Sequence, residues 1–318
     1  MQVLTFLWSC SNKMFTLLSP DFFQLFYTGF IMFCMYSATW MLSVKMKDLS
    51  LVNFIWGISF SIQAVIYFYK SLEYSIFSFF THKFSWEKLT FYTLIFAHGI
   101  RLSAYMILRE LGKGEDRRWT KLREKFGNHF WWLSYLVVFL PAMQFNMMMG
   151  FLIYAFANVD KSNISHLSYW GGIITMLVGG LIGSLADIQK YTFLTAKRNE
   201  SKILDKGLWG LSRHPNYLGE IIFWWGAFFV NFSASILWTI ICPILITFMI
   251  LFVTGIPVNE RVMKEEHGQN FLDYARRVPI LIPFFGARGK AKEEESPGES
   301  KGNIQKSQQE NVKETRAR

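Results

Sequence analysis

Apolar runs of bilayer length restrict this chain more than any other feature. Residues 22–42, 53–69, 89–108, 131–157 and 169–190 are predominantly apolar, and a longer run covers residues 221–254. A helix needs about 20 residues to cross the hydrocarbon core, and only helices and closed barrels satisfy their backbone groups there. The last run is too long for one crossing. Its single polar break, N-F-S-A-S at residues 231–235, divides it into two antiparallel spans, which makes seven. Charged residues are 18% of the chain, against about 25% in a soluble domain, so a water-soluble enzyme and a disordered protein are both excluded. The expected fold is all-α: a polytopic membrane bundle of about seven transmembrane helices. No length remains for a separate soluble catalytic domain. Chemistry has to be built from helix ends, short loops and the bundle interior.

Thirty-three Lys and Arg against 23 Asp and Glu leave a net charge of +10. The basic residues are not spread evenly. Residues 109–125 hold Arg109, Lys113, Arg117, Arg118, Lys121, Arg123 and Lys125, and residues 190–213 hold Lys190, Lys197, Arg198, Lys202, Lys206 and Arg213. The loop between them, residues 158–168, has only Lys161. Basic loops stay on the cytosolic side, so the expected topology has the N-terminus lumenal or outside and the C-terminus cytosolic. No interleaved basic and aromatic module occurs, so nucleic acid is not an expected partner. The organisation expected is an N-terminal segment over residues 1–20, the membrane domain over 21–285, and a polar tail over 286–318. The tail is rich in Lys, Glu, Gln, Ser and Gly and has no aromatic residue after Phe285, a composition that cannot offset its own ordering entropy.

Three cysteines, Cys10, Cys34 and Cys242, lie too far apart for a disulfide framework, and the six histidines form no metal-binding box, so no metal is expected. The G-G-L-I-G run at residues 179–183 lies within a span. A phosphate loop needs a preceding strand, so this run reads as a helix-packing face.

Polar clusters inside or beside the spans carry the functional signal. The densest is G-L-W-G-L-S-R-H-P-N-Y-L-G-E at residues 207–220, where a basic loop enters the membrane. Pro215 suits a helix start, whose free N–H groups attract anions. Arg213 and His214 add positive charge, Asn216 and Tyr217 add hydrogen bonds, and Glu220 lies at the membrane mouth. A second cluster, Asp187 to Lys190, closes the fifth span. Snorkelling explains Lys190, but an Asp near the bilayer interior is costly without a partner. The third is His98, Arg101 and Tyr105, whose spacings of three and four set them on one face of the third span.

Taken together these segments resemble the membrane steroid and sterol reductase superfamily, and within it the steroid 5-alpha-reductase C-terminal-like (3-oxo-5-alpha-steroid 4-dehydrogenase-like) group. The resemblance rests on residues 207–220, on R-L-x-x-Y-x-x-x-R and G-E-D-R-R between Arg101 and Arg118, on Asp187, and on the closing segment with Tyr274, Arg277 and I-P-F-F. It covers roughly residues 56–285 and implies a seven-helix bundle holding NADPH in a cavity on the cytosolic side. It implies that Asn216 and Glu220 contact the cofactor and that Asp187 and Lys190 hold ribose or phosphate. Trp209, Arg213 and Tyr217, with His214 beside them, would line the nicotinamide end, and Tyr274 and Arg277 would close the pocket. The family tyrosine that bonds a steroid ketone falls at His98, so a histidine is the proton donor expected here. Asn53, Trp119 and Leu194 also depart from the family pattern.

The reaction expected is NADPH-dependent reduction of an activated C=C bond in an apolar, lipid or steroid-like substrate, with His98, Arg101 and Tyr105 as catalytic residues. Membrane lipids are the other expected partners, and analogy with the family suggests the endoplasmic reticulum. Two alternatives stay open. One is an S-adenosylmethionine-dependent membrane methyltransferase of the isoprenylcysteine carboxyl methyltransferase type, which shares an R-H-P-x-Y-x-G core. The other is a non-enzymatic lipid-binding membrane protein.

Overall fold

The computed structural model describes residues 20–72, 85–110, 112–159, 165–196, 203–232 and 234–283. The tail from residue 286 and residues 1–19 of the N-terminal segment lie outside the described residues. All regular structure among the described residues is helical. In chain order the elements are α1 (Pro20–Met46), α2 (Leu51–Ser71), α3 (Trp86–Glu110) and a short basic α4 (Arg117–Phe126). The chain then runs through Phe130–Ser134 and a π-helical stretch, Tyr135–Phe139, into α5 (Leu140–Asn158). After these come α6 (His166–Thr195), α7 (Pro215–Val230), α8 (Ile241–Phe248), α9 (Ile256–His267) and α10 (Gln269–Arg277).

Six helices are long and apolar enough to cross a membrane: Phe23–Met46, Leu51–Ser71, Trp86–Glu110, Trp119–Asn158, His166–Thr195 and Leu237–His267. The seventh apolar helix is α7, with 16 residues, or about 24 Å at 1.5 Å per residue. It begins at Pro215, before the apolar run proper, and ends at Asn231, whose side chain bonds the Ala227 carbonyl. The polar break expected at residues 231–235 is therefore the end of a helix that spans less than the full hydrocarbon thickness.

Hydrogen bonds identify the two ends of the bundle. At one end Leu49 N–H and Arg123 both reach Glu115, Asn53 reaches Glu110, and Lys121 pairs with Glu265 of α9. This is the basic end. At the other, Lys70 pairs with Asp21, Lys88 bonds the Ala157 carbonyl, and Tyr169 bonds the Glu87 carbonyl. The core between them is apolar and rich in rings, with Phe60, Phe91, Phe156, Tyr169 and Trp224 fully buried.

In lipid, helices gain nothing by hiding apolar surface from water, so close backbone packing and interhelical hydrogen bonds hold them together. Two seams do this. On α6 and α7 the positions 172, 176, 179, 183 and 219, 223, 226, 230 face each other: Gly179 lies under the Phe223 backbone, Gly219 against Gly183, and Gly226 under Met176. On α2 and α3, Gly57 meets Gly99, while Ser61 Oγ donates to the Phe96 carbonyl at 2.8 Å and Ser103 Oγ to the Phe54 carbonyl at 2.7 Å. A buried polar pair joins α2 to α5: Gln63 Nε2 donates to Asn146 Oδ1 at 2.6 Å, and Asn146 Nδ2 to the Trp56 carbonyl at 3.2 Å.

The α6–α7 seam discriminates sharply between glycines in the same run. A Cβ at Gly179 would fall 2.5 Å from Phe223 N, and one at Gly219 would fall 2.5 Å from Gly183 N. At Gly180 and Gly183 the nearest atoms are side-chain atoms at 3.9 and 3.7 Å. Gly179→Ala and Gly219→Ala should each destabilise the detergent-solubilised protein by about 1–3 kcal/mol. Gly180→Ala and Gly183→Ala should leave its thermal midpoint at or above the wild-type value. Equal effects at all four positions would contradict the seam.

Candidate active site

The close α6–α7 approach brings Glu220, one position past Gly219, against α3. There its carboxylate meets His98, whose Nε2 lies 3.1 Å from Oε2. Trp224, one turn along α7, donates its Nε1–H to Glu220 Oε1 at 2.9 Å. The His98 ring stacks on Phe223 with centroids 3.7 Å apart and an interplanar angle of 11°. Arg101, a turn nearer the basic end of α3, donates from Nη1 to Asp187 Oδ2 of α6 at 2.7 Å and has Nη2 3.9 Å from Glu220 Oε2. The guanidinium packs beside Gly183, where a Cβ would lie in ordinary contact at 3.7 Å from its nitrogens. Four ionisable side chains from three helices thus form one contiguous group.

Burial makes this group costly unless it is mutually paired. The Asp187 side chain is 7% exposed and that of Arg101 22%. Pairing is incomplete. His98 Nδ1, Arg101 Nε, Asp187 Oδ1 and Asn216 Oδ1 are all buried, and none has a hydrogen-bond partner among the described residues. Buried polar atoms are normally satisfied, so four unsatisfied atoms around one cluster mark a place for a polar ligand or water. Tyr105 continues the α3 face toward the basic end, buried, with the Arg109 guanidinium over its ring at 5.4 Å.

The other candidate residues collect at the basic end. Trp209 is buried; its Nε1–H bonds the Ala186 carbonyl at 3.0 Å, and its own carbonyl accepts Tyr274 Oη–H at 2.7 Å. Lys190 Nζ stands over the Trp209 ring at 4.9 Å. His214 stacks on Tyr217 at 5.6 Å, and Tyr217 Oη accepts from Asn259 Nδ2 at 2.5 Å. Arg213 Nε and His214 Nε2 lie 3.1 and 3.2 Å from the same oxygen of Glu260. Burial pushes the His214 imidazole below its ordinary range, although Glu260 pulls the other way. The Tyr274 hydroxyl is raised by burial. Arg277 is exposed and reaches Asp205 at 3.5 Å, at the surface rather than in the interior.

The structure therefore divides the sequence candidates into two tiers. His98, Arg101, Asp187 and Glu220, with Asn216 at the edge, form the interior tier. Lys190, Trp209, Arg213, His214, Tyr217 and Tyr274 form the tier at the basic end. Two participants escaped the sequence reading, Phe223 and Trp224, which orient His98 and Glu220; Asn259 and Glu260, which hold the start of α7, belong to the closing segment of the resemblance but were given no role there. An Asn-Glu-Arg triplet just beyond an apolar run was the available signal for the last two.

Comparison with known proteins follows this geometry. A family model described as "Protein of unknown function (DUF1295)" matches residues 39–278. The chain belongs to this family. It is similar to Protein-S-isoprenylcysteine O-methyltransferase B of Arabidopsis thaliana, at 28% identity over 120 residues, 36% of this chain and 58% of that protein. It is also similar to Delta(14)-sterol reductase TM7SF2 of Mus musculus, at 29% identity over 92 residues, 26% of this chain and 19% of that protein. The chain thus covers less than two thirds of either relative. No solved structure matches.

Removing Arg101 tests whether the interior tier holds together as described. Arg101→Met leaves Asp187 as a buried carboxylate without its cation, at a cost of about 3–5 kcal/mol. Adding Asp187→Leu to that variant should recover part of the loss. A wild-type thermal midpoint for Arg101→Met alone would show that the guanidinium pairs nothing of consequence.

Proposed function

We propose that this integral membrane protein of the DUF1295 family is a reductase that uses NADPH to reduce an electron-poor C=C bond in an apolar, lipid or steroid-like substrate. One observation carries the reading: the four unpartnered buried atoms of His98, Arg101, Asp187 and Asn216 between α3, α6 and α7. They comprise one fixed donor, two acceptors and one imidazole nitrogen that serves as either. A carboxamide and ribose hydroxyls, which both give and accept hydrogen bonds, fit the Arg101, Asp187 and Asn216 atoms, and the imidazole nitrogen is left for the substrate. Two carboxylates in the same tier would repel a pyrophosphate, so the phosphates belong at the basic end, with Lys190, Arg213 and His214. The likeness to steroid 5-alpha-reductases and the sterol reductase match support the same chemistry. By the same analogy the membrane is that of the endoplasmic reticulum.

A bound nicotinamide supplies hydride; the residues of this chain supply position and a proton. When hydride adds to the β-carbon of an enone, negative charge develops on the carbonyl oxygen. A donor aimed at that oxygen stabilises it by a few kcal/mol. His98 has the geometry for this role. Glu220 holds its Nε2–H, Phe223 sets its plane, and in the protonated ring Nδ1 carries the proton offered to the substrate. Arg101 keeps its proton throughout and holds Asp187 and Glu220 in register. Tyr105 is the second donor, a turn nearer the basic end. Transfer of one proton to the α-carbon completes the reduction.

The second reading is an S-adenosylmethionine-dependent methyltransferase. The longer match to the isoprenylcysteine methyltransferase favours it, and so does an interior tier whose two carboxylates suit a sulfonium cation.

Thermal unfolding of the purified protein separates the two. A ligand that binds only the folded state adds about 2.7 kcal/mol at 100 times its Kd. NADPH should raise the midpoint clearly, NADH less, and S-adenosylmethionine not at all. A rise with S-adenosylmethionine and none with NADPH would replace the first reading with the second.

A further inference from the structure

We infer that Glu260 is an internal counter-anion: its carboxylate holds, on Arg213 and His214, the position that a ligand phosphate takes, and binding of that phosphate loosens α9 by removing one of the contacts that hold it to the start of α7. The inference rests on the reading above only in taking the ligand to carry phosphate.

The argument starts from Arg213 and His214, which directly precede Pro215, the first residue of a 16-residue helix. Outward N–H groups and the helix dipole favour an anion there. Both side chains are largely buried, 13% and 8% exposed. The counter-charge of Arg213 comes from another helix and serves it poorly. A single oxygen, Glu260 Oε1, lies 3.1 Å from Arg213 Nε and 3.2 Å from His214 Nε2. Arg213 Nε is buried with no aligned hydrogen-bond acceptor among the described residues. A guanidinium is best satisfied by two oxygens at once, and a phosphate presents three.

Glu260 is also placed to leave. Its side chain is 23% exposed, so the carboxylate can turn into water. It sits in α9, which lies between two glycine joints: Gly255, at φ −85° and ψ −97°, and Gly268, at φ +52°. Besides Glu260, α9 holds the start of α7 through Asn259 on Tyr217. Lys190 adds positive charge nearby, so an incoming phosphate meets two cations, Lys190 and Arg213, and the His214 imidazole as a hydrogen-bond donor once the carboxylate is displaced.

The test uses the full chain in detergent, with inorganic pyrophosphate and NADPH as probes. Glu260→Gln removes the competing charge and should bind both about tenfold more tightly, the equivalent of about 1.4 kcal/mol. Glu260→Asp should behave as wild type, and Arg213→Gln added to Glu260→Gln should abolish the gain. In the wild-type protein, pyrophosphate should speed amide hydrogen exchange in residues 256–267, a readout that needs no variant to fold. Unchanged or weaker pyrophosphate binding by folded Glu260→Gln overturns the inference, and so does slower exchange in α9. A gain for pyrophosphate with no NADPH binding in any variant supports the counter-anion and removes the nicotinamide reading. NADPH binding equal in wild type and Glu260→Gln does the reverse.

Discussion

The Arg101 guanidinium, lying between Asp187 of α6 and Glu220 of α7, is the interaction on which the rest of this structure turns. A lone arginine in a membrane-spanning helix is costly, and so is a lone carboxylate. Set 2.7 Å apart, each offsets the other, but only if α3, α6 and α7 converge at that depth. The glycines at 179 and 219 allow the convergence, since a side chain at either would hold the helices apart. The seam and the ion cluster are therefore one device: close backbone packing supplies the proximity, and the charges require it.

A cluster satisfied wholly from within would be a strut. This one keeps three polar atoms, and Asn216 Oδ1 one helical turn before Glu220, without partners among the described residues, and its histidine is clamped on one side by Phe223 and on another by Glu220. Toward the basic end the character changes to Lys190, Arg213 and His214, partnered by an indole ring and the Glu260 carboxylate. A ligand with a neutral, hydrogen-bonding end and an anionic end matches the two tiers in that order, which is the physical content of the nicotinamide nucleotide proposal.

Much of this was legible in the sequence, and what was not has a common cause. Apolar run length marked the helices because bilayer thickness sets it. The spacing of His98, Arg101 and Tyr105 put them on one face, and the polarity of residues 207–220 marked the start of α7. What a periodicity cannot state is which partner a face meets. Glu220 was grouped with Asn216 one turn away, yet its contacts are His98, Arg101 and Trp224, two of them 122 and 119 residues distant in the chain. Glu260, in the Asn-Glu-Arg triplet of the closing segment, was given no role because the triplet does not say that its carboxylate meets Arg213 and His214. The Gln63–Asn146 pair escaped for the same reason, each residue being one polar letter in an apolar run. Pro215 marked the start of α7, which lies ahead of the apolar run proper.

The central claim is that the unpartnered atoms of the interior tier face a ligand, and the most direct measurement is a structure of the protein prepared with NADPH. The account predicts nicotinamide and ribose density between α3, α6 and α7, within hydrogen-bond distance of Arg101 Nε, Asp187 Oδ1 and Asn216 Oδ1, with His98 Nδ1 facing the space beside the nicotinamide ring. Density elsewhere, with those atoms of Arg101, Asp187 and Asn216 bonded only to water or to one another, would contradict it.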